Sequence, residues 1–256
     1  MTSAPTPPDP VQVLHATLPT DADQYQALAE WVARTAPPAA RILDIGSGDG
    51  GDKYSGRIRE LAGFLAGVDP SPAATRHPNL DQFLRCSVEE YAAGLPAAER
   101  FDVALAVYVA EHVRDPLAFL TAARGVLKPA GALFIVTPNR WHYFGAAAST
   151  AAVLGIDDAV FRLLRRARPG HGHHPRHYRL AYRMNSPRSL RGYAERAGFT
   201  RLEMAHLDNP RLFQYCFPGP AAALPAQYSR LVYRLGLRNL FGTLLCRLTV
   251  PPDGAA

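Results

Sequence analysis

The sequence predicts an α/β protein built on one seven-stranded, mostly parallel sheet with helices on both faces. Short apolar runs alternate with helical segments through the first half of the 256-residue chain, and several of these runs end in a glycine or an acidic residue. Alternation of strand and helix indicates parallel strands joined by right-handed crossovers. Polar residues at the strand ends predict a ligand site along one edge of that sheet.

The elements can be placed in order along the chain. The predicted strands, each a short apolar run, lie near 41–45, 64–69, 82–86, 101–107, 131–136, 199–207 and 241–250. The predicted helices lie between them, at 21–35, near 54–62, 72–76 and 115–127, and from Ser186 onward. Helices and strands are distinguished by the period of their apolar residues, by the length of each segment and by the proline or glycine that flanks it.

The chain is predicted to form a single domain over residues 21–250. Residues 1–20 are expected to be a disordered tail, because the start of the chain is rich in proline and lacks the basic and apolar regions of a signal peptide. An apolar content of 48% is enough for a substantial core, and no apolar run is long enough for a membrane span. Segments 139–185 and 208–240 exceed plain connections and are predicted to form an inserted helical lid or substrate wall.

The glycine-rich turn after the first strand is the most specific motif. It places Gly46, Gly48 and Gly50 in a G-x-G-x-G spacing, with Asp44 before the turn and Asp49 inside it. A dinucleotide fingerprint reads G-x-G-x-x-G and holds a pyrophosphate, which two carboxylates would repel. Carboxylates suit a sulfonium or ammonium group, so this motif favours S-adenosylmethionine over NAD.

Two later strand ends carry further candidate residues. Asp69 follows Gly50 by 19 residues, close to the spacing of about 20 at which a carboxylate binds ribose hydroxyls; capping a helix near Ser71 is the alternative. After the strand near 101–107 comes the pair Glu111 and His112. His112 is the candidate catalytic base if the methyl acceptor is a hydroxyl, and capping or lining the cofactor is its alternative role.

Taken in order, these motifs resemble the class I S-adenosylmethionine-dependent methyltransferases, especially the small-molecule (type 11) branch with the ubiquinone-biosynthesis O-methyltransferases. The matching pieces are Asp-Ile-Gly-Ser-Gly-Asp-Gly from Asp44, Val-Asp-Pro from Val68, Glu-His-Val-Arg-Asp-Pro from Glu111, and Leu-Lys-Pro-Ala-Gly from Leu127 followed by Thr-Pro-Asn-Arg. The resemblance covers about residues 40–140 and continues more weakly to residue 207. It implies the Rossmann-like fold of this class and methyltransferase activity.

The resemblance also implies which residues bind the cofactor. They are Asp44, Gly46, Ser47, Gly48, Gly50, Asp69, Pro70, Ser87, Val88, Val107 and Tyr108. Two positions depart from the family pattern. Ser87 stands where an acid often faces the adenine amino group, and its hydroxyl can accept the same hydrogen bond. Ala130 stands where the family has glycine, a change that the turn absorbs if Ala130 keeps a negative φ.

Charge divides the chain between its two ends. Residues 1–140 hold 12 basic and 16 acidic side chains, net −4, whereas residues 141–256 hold 16 and 6, net +10. This asymmetry predicts an anionic or amphipathic small-molecule acceptor. The basic amphipathic segment 159–168 is compatible with peripheral membrane contact and equally with a lid packed on the core. No stacking-aromatic pattern accompanies the basic residues, so no nucleic-acid partner is predicted.

The candidate substrate wall follows the fifth predicted strand and consists of Asn139, Arg140, Trp141, His142 and Tyr143. No metal site is predicted, because the histidines of segment 171–177 lie among glycine and proline without helical spacing. The cysteines Cys86, Cys216 and Cys246 are odd in number and widely spaced, which indicates a reducing cytoplasm rather than disulfides.

The sequence thus predicts a cytoplasmic methyltransferase that acts on a small molecule, with oxygen as the favoured acceptor atom. Two other functions remain open. One is a non-catalytic protein that binds S-adenosylmethionine or serves as a scaffold, and the other is a methyltransferase for a membrane-associated lipid or quinone.

Overall fold

The fold is described from a computed structural model, which covers residues 11–48, 54–156, 159, 179–212, 217 and 219–252. The strands are β1 (Gln12–Thr17), β2 (Ala40–Ile45), β3 (Ala62–Val68), β4 (Gln82–Leu84), β5 (Phe101–Val107), β6 (Leu127–Pro138), β7 (Arg201–Leu207) and β8 (Thr243–Thr249). The helices are α1 (Gln24–Thr35), α2 (Ser55–Leu61), α3 (Val88–Gly94), α4 (Pro116–Gly125), α5 (Tyr143–Val153), α6 (Pro187–Arg196) and α7 (Leu224–Arg234). Short 3₁₀ turns supplement them.

The strands form one sheet in the order β1-β7-β8-β6-β5-β2-β3-β4. Only the pairings of β8 with β6 and β7 are antiparallel, and the other pairs run parallel. The predicted α/β class with a mostly parallel sheet is confirmed. The chain leaves β2 toward β3 on one side and later places β5 on its other side, so a topological switch point lies between β2 and β5.

Apolar side chains on both faces of the sheet hold the helices in place. On one face Leu43 of β2 joins a cluster with Leu120 of α4 and Leu190 of α6. On the other face Ile42 joins a cluster with Leu28 of α1 and helix α2. Neighbouring residues of a strand point to opposite faces, so a continuously apolar strand needs cover on both. This explains why helices lie on both faces, as predicted.

Among the described residues the sheet has eight strands rather than the seven predicted, because residues 12–17 form the edge strand β1. The prediction of a disordered tail over residues 1–20 is therefore wrong for this stretch. β1 pairs in parallel with β7, from Gln12 opposite Arg201 to Thr17 opposite His206. Most of its side chains are exposed, so it lacks the apolar alternation that reveals a half-buried strand. Its backbone ladder with β7 holds it instead.

The predicted helix at 72–76 is also wrong, because this stretch forms a turn. The Asp69 carboxylate accepts a hydrogen bond from the Ser71 backbone N–H at 2.8 Å, and the Ser71 hydroxyl accepts one from Ala73 N–H. Side chains of this kind compete with helical hydrogen bonds for the backbone. A further bond from Thr75 N–H to the Gly48 carbonyl ties the turn to the glycine-rich loop.

The two long insertions contain secondary structure of their own. Segment 139–185 includes α5, and segment 208–240 includes α7 and short 3₁₀ turns. Segments 160–168 and 171–177, Gly50 and Cys216 lie outside the described residues, so the predictions on the amphipathic helix, the histidine cluster and these positions remain predictions. No helix in the described ranges combines the length and apolar character needed to cross a bilayer.

Candidate active site

The candidate site lies where β2, β3, β5 and β6 end. The Gly46 N–H donates to the Val68 carbonyl at 2.7 Å, which joins the end of β2 to the end of β3. The Tyr108 N–H donates to the Val136 carbonyl at 2.8 Å, which joins the end of β5 to β6. Parallel strands bring their carboxyl ends to one edge, so residues distant in sequence meet there.

The glycine turn has the backbone shape that its composition predicts. Gly46 and Gly48 have φ values of 74° and 61°, a left-handed region that residues with a Cβ occupy at a cost. A Cβ on Gly46 would also collide with the Val109 side chain. The Ser47 hydroxyl is buried without a hydrogen-bond partner in the described part of the chain. The turn therefore offers polar backbone and side-chain atoms at close range.

Asp69 lies directly beside this turn. One carboxylate oxygen accepts a hydrogen bond from Gly48 N–H at 3.0 Å and the other accepts from Ser71 N–H at 2.8 Å. Each oxygen has a second lone pair that can accept from a ribose hydroxyl. Asp69 is thus held at the strand end, where the sequence places the ribose site, and its bond to Ser71 resembles the capping alternative.

Asp44 contacts one member of an aromatic group formed by Tyr25, Tyr54 and Tyr108, of which only Tyr108 was predicted. The Tyr54 hydroxyl donates to both Asp44 oxygens, at 3.0 and 3.1 Å, in a buried contact. Tyr25 stacks on Tyr54 and meets Tyr108 edge-on, with ring centroids 6.0 and 6.2 Å apart. Tyr25 and Tyr54 come from α1 and from the segment just before α2. Tyr25 and Tyr54 reach the end of β2 only in the folded chain, so no local sequence motif identifies them.

The remaining predicted cofactor residues take several positions around the strand ends. Val88 and Val107 are buried, whereas Pro70 is exposed. Ser87 caps α3: its hydroxyl accepts from Glu90 N–H at 3.2 Å, and the Glu90 carboxylate accepts from Ser87 N–H at 2.8 Å. This reciprocal pair is a capping box. The serine hydroxyl therefore serves the helix, and a second contact to adenine would be additional.

Glu111 is a buried carboxyl at the end of β5. Its desolvation raises its pKa to about 7. The Thr137 hydroxyl donates to it at 3.3 Å, and the Asn185 amide donates to Thr137. Thr137 and Asn185 were not predicted as site residues, because they lie on β6 and in the stretch before α6, far apart in sequence.

His112 and Glu111 together hold the returning end of the first insertion. Ring atom Nδ1 of His112 lies 3.2 Å from the Arg179 carbonyl oxygen. A carbonyl only accepts, so Nδ1 carries the proton and Nε2 is the basic nitrogen of the ring. The Glu111 carbonyl accepts hydrogen bonds from Ala181 and Tyr182 N–H at 2.7 and 3.1 Å. Both residues therefore face the segment that returns from the insertion.

The five predicted substrate-wall residues differ in exposure. Asn139 and His142 are buried, Arg140 and Tyr143 are partly buried, and Trp141 is 56% exposed. The Asn139 amide donates to the carbonyls of Asn239 and Phe241 at 2.7 and 2.9 Å. These two buried residues point inward because they join separate segments of chain. Their role as substrate-wall residues remains a prediction.

His142 forms a further contact between the two insertions, segments 139–185 and 208–240. Its Nε2 lies 3.2 Å from an Asp208 carboxylate oxygen, and both side chains are buried. Tyr143 and Tyr228 pack edge-to-face with ring centroids 4.8 Å apart. Asp208 also accepts a hydrogen bond from Gly242 N–H at 2.9 Å. Asp208 and Tyr228 were not predicted, because nothing in their local sequence marks them.

The described residues contain no group of three or more histidine, cysteine or acidic side chains arranged to hold a metal ion. The site that they form consists of a glycine turn, the carboxylates Asp44 and Asp69, three tyrosines and the Glu111–His112 pair. These groups can bind a cation with a ribose and can remove a proton.

The chain is similar to several proteins of known family. A family model described as a methyltransferase domain matches residues 21–203. The ubiquinone biosynthesis O-methyltransferase of Xanthomonas campestris pv. campestris is 36% identical over 163 residues, 60% of this chain and 62% of that protein. The same-named protein of Cereibacter sphaeroides is 40% identical over 108 residues, 39% of this chain and 42% of its own length. The matches thus span less than two thirds of these relatives.

Solved structures share the fold. A methyltransferase of Archaeoglobus fulgidus, described as SAM dependent, has a TM-score of 0.51 at 17% identity, over 90% of this chain and 96% of that one. Phosphoethanolamine N-methyltransferase 2 of Haemonchus contortus, in complex with S-adenosyl-L-methionine, has a TM-score of 0.53 at 16% identity, over 89% and 52%. The domain model covers more than half of the chain. The chain therefore belongs to the methyltransferase-domain family, and the family resemblance of its motifs is confirmed.

Proposed function

We propose that this protein transfers a methyl group from S-adenosylmethionine to an oxygen atom of an anionic or amphipathic small molecule. The observation that carries the proposal is the contact between Asp69 and Gly48, 3.0 Å long, which joins the carboxyl ends of β3 and β2 beside the switch point of the sheet. It places a carboxylate beside a left-handed glycine turn. Family membership and the names of the O-methyltransferase relatives agree with this chemistry.

The residues present fit S-adenosylmethionine better than a dinucleotide. Asp69 would bind the ribose hydroxyls, and Gly46 to Gly48 would approach the amino-acid part of the cofactor. Asp44 with Tyr25, Tyr54 and Tyr108 supplies negative charge and aromatic faces, both of which attract a cation. When bound, the cofactor supplies an electrophilic methyl group on a sulfonium. A pyrophosphate would meet two carboxylates instead.

The protein contributes chiefly by holding the reactants in line. Methyl transfer is a displacement in which alignment and exclusion of water account for much of the rate gain. The glycine turn and Asp69 would fix the donor, and the returning segment at 179–182, held by Glu111 and His112, would enclose the acceptor side. Arg140, Trp141 and Tyr143 are the wall residues with part of their surface open to solvent.

His112 would act as the general base. Its Nδ1 donates to the Arg179 carbonyl, so Nε2 would be the ring atom that accepts the proton of an acceptor hydroxyl. A base is needed because a neutral hydroxyl is a weak nucleophile. We also infer a cytoplasmic location, supported by the odd number of widely spaced cysteines.

The donor site can be tested by calorimetry with S-adenosylhomocysteine. We expect wild-type protein to bind it and Asp69→Ala to bind at least about thirty-fold more weakly, because charge-assisted hydrogen bonds to ribose are lost. Glu60→Ala, which removes an exposed carboxylate on α2, is the matched control and should leave the affinity unchanged. Tight NADH binding with no binding of S-adenosylhomocysteine would refute the donor assignment.

The chemistry can be tested by transfer of label from S-adenosylmethionine to a set of phenolic carboxylic acids. His112→Gln should lower kcat by about 100-fold and flatten its dependence on pH, while S-adenosylhomocysteine affinity stays within two-fold of wild type. Binding of the cofactor product without label transfer to any acceptor would favour the alternative of a non-catalytic binder.

A further inference from the structure

Helix α7 exposes a row of leucines on its outer side. Leu224, Leu231 and Leu235 are 50%, 54% and 57% exposed, and Leu237 after the helix is 42% exposed. The spacing of seven and four residues places the first three on one face of the helix. Scattered exposed leucines are ordinary, but a row on one helix marks a surface that meets an apolar phase or a partner.

Three exposed arginines accompany this row of leucines. Arg230, Arg234 and Arg238 are exposed, and none forms an ion pair with a carboxylate among the described residues. Residues 209–252 contain five arginines and no aspartate or glutamate. We call the leucines 224, 231, 235 and 237 with these three arginines the α7 outer face.

The opposite side of α7 is fixed to the acceptor side of the site. The Ser229 hydroxyl donates to the Asp208 carbonyl at 3.0 Å. The Tyr233 hydroxyl donates to the Leu18 carbonyl at 2.6 Å. Tyr228, which lies beside the leucine row four residues after Leu224, packs on Tyr143. Packing therefore does not need the outer leucines, and the helix holds them in a defined position next to the substrate wall.

We propose that the α7 outer face binds the surface of a lipid bilayer that contains anionic headgroups. Leucines that enter the headgroup boundary gain from apolar burial, while the neighbouring arginines meet negative charge. A second copy of the chain is a poorer occupant. Packing two such faces together would bring two rows of arginine into contact, and no carboxylate on either would offset their repulsion.

This surface bears on the acceptor. Because Tyr228, beside the leucine row of α7, contacts Tyr143 of the substrate wall, a bound bilayer would lie close to the acceptor entrance. If the proposed methyl transfer holds, an amphipathic acceptor could reach the site from the lipid. That consequence rests on the proposed function, whereas the bilayer contact itself does not.

Vesicle flotation tests the contact without any need for activity. Wild-type protein should float with phosphatidylcholine vesicles that contain phosphatidylglycerol, float little with phosphatidylcholine alone, and be released by salt. Arg230→Glu/Arg234→Glu should lower the partition coefficient by at least about 25-fold, from about five-fold per arginine. Arg57→Glu/Arg188→Glu changes two exposed arginines on other helices and alters the net charge equally, so it should float like wild type.

The apolar half of the face is tested by Leu231→Gln/Leu235→Gln, which should lower the partition coefficient by about ten-fold or more. Circular dichroism and S-adenosylhomocysteine calorimetry on each variant establish that it folds and keep this test separate from the donor-site test. The proposal is overturned if wild type does not float, or if the control pair loses as much binding as the α7 pair. It is also overturned if sedimentation shows that the leucine variant dissociates a dimer while flotation is unchanged.

Discussion

The donor side and the acceptor side of this molecule are assembled in different ways. On the donor side, at the ends of β2 and β3, Asp69 contacts Gly48 and Asp44 contacts Tyr54, 21 and 10 residues apart in the chain. On the acceptor side, Asn139 contacts Asn239 and Phe241, 100 and 102 residues away. The donor side is set mainly by local motifs, whereas the acceptor side exists only once distant segments meet.

The two sides also differ in charge. The donor side lies in the acidic part of the chain, net −4 over residues 1–140, and the acceptor segments lie in the part with net +10. A negative site suits a cationic donor, and a positive surface suits an anionic partner. A mutation on one side should therefore leave binding on the other side unchanged. The following predictions test that separation.

The largest effect is expected from Gly46→Ala on the donor side. Alanine must adopt the left-handed φ of 74° and its Cβ meets the Val109 side chain, so the free energy of unfolding should fall by about 3–5 kcal/mol. S-adenosylhomocysteine affinity should fall with it. Urea unfolding and calorimetry measure both.

Gly56→Ala in α2 is the matched control, because a Cβ there meets nothing within 4 Å. It should leave cofactor affinity unchanged and stability the same or slightly higher. If Gly46→Ala were tolerated as well as Gly56→Ala, the glycine turn would not be the strained element that the donor side requires.

His142→Ala tests the acceptor side. It removes a buried ring whose Nε2 lies 3.2 Å from an Asp208 side-chain oxygen and should lower the free energy of unfolding by about 2–4 kcal/mol, since a cavity forms and a buried polar group loses its neighbour. S-adenosylhomocysteine affinity should remain within two-fold. Trp141→Ala, at the neighbouring exposed position, should change stability by no more than about 0.5 kcal/mol. A parallel loss of cofactor affinity in His142→Ala would contradict the separation of the two sides.

Glu111 lies where the two sides meet and predicts a pH effect. Its pKa is raised from 4.5 to about 7 by burial, so the native state holds more protons than the unfolded state between these values. Stability should therefore fall as pH rises from 4.5 through 7 and then level off, by about 3 kcal/mol in all. Glu111→Gln, which keeps a hydrogen-bond acceptor for Thr137, should remove most of this slope.

Urea unfolding at pH 5 and pH 8 measures the Glu111 effect. Glu89→Gln, at an exposed position of α3, is the control and should keep the wild-type slope. An unchanged slope in Glu111→Gln would mean that another group is responsible.

The smallest effect is expected from Ala130→Gly, outside both sides. Ala130 has a φ of 59° rather than the negative φ under which alanine is absorbed without strain, because it lies in the irregular stretch of β6 where the register with β5 shifts. Glycine should raise the free energy of unfolding by about 1 kcal/mol. Ala132→Gly, two residues later at a buried position of β6, should lower it instead. If the two variants change the thermal stability equally, the left-handed backbone at Ala130 is not the cause.

The sequence predicts the donor side well because its motifs are short. Gly46, Gly48 and Asp69 lie at strand ends that apolar runs reveal, and their positions follow from parallel pairing. The false helix at 72–76 arises within the same region, because side chains of Asp69 and Ser71 take backbone N–H groups that a helix would need. Local propensity could not show this competition.

The sequence by itself determined the fold class, the order of most strands, the glycine turn and the family, because these follow from periodicity and from residues close together in the chain. Only the tertiary structure decided that residues 12–17 form a strand and that His142 and Asn139 lie inside. It alone joined Glu111 to Thr137 and Asn185 and gave α7 an outer face. Each of these depends on a partner many residues away, and a side chain's burial is set by what packs against it rather than by its neighbours in sequence.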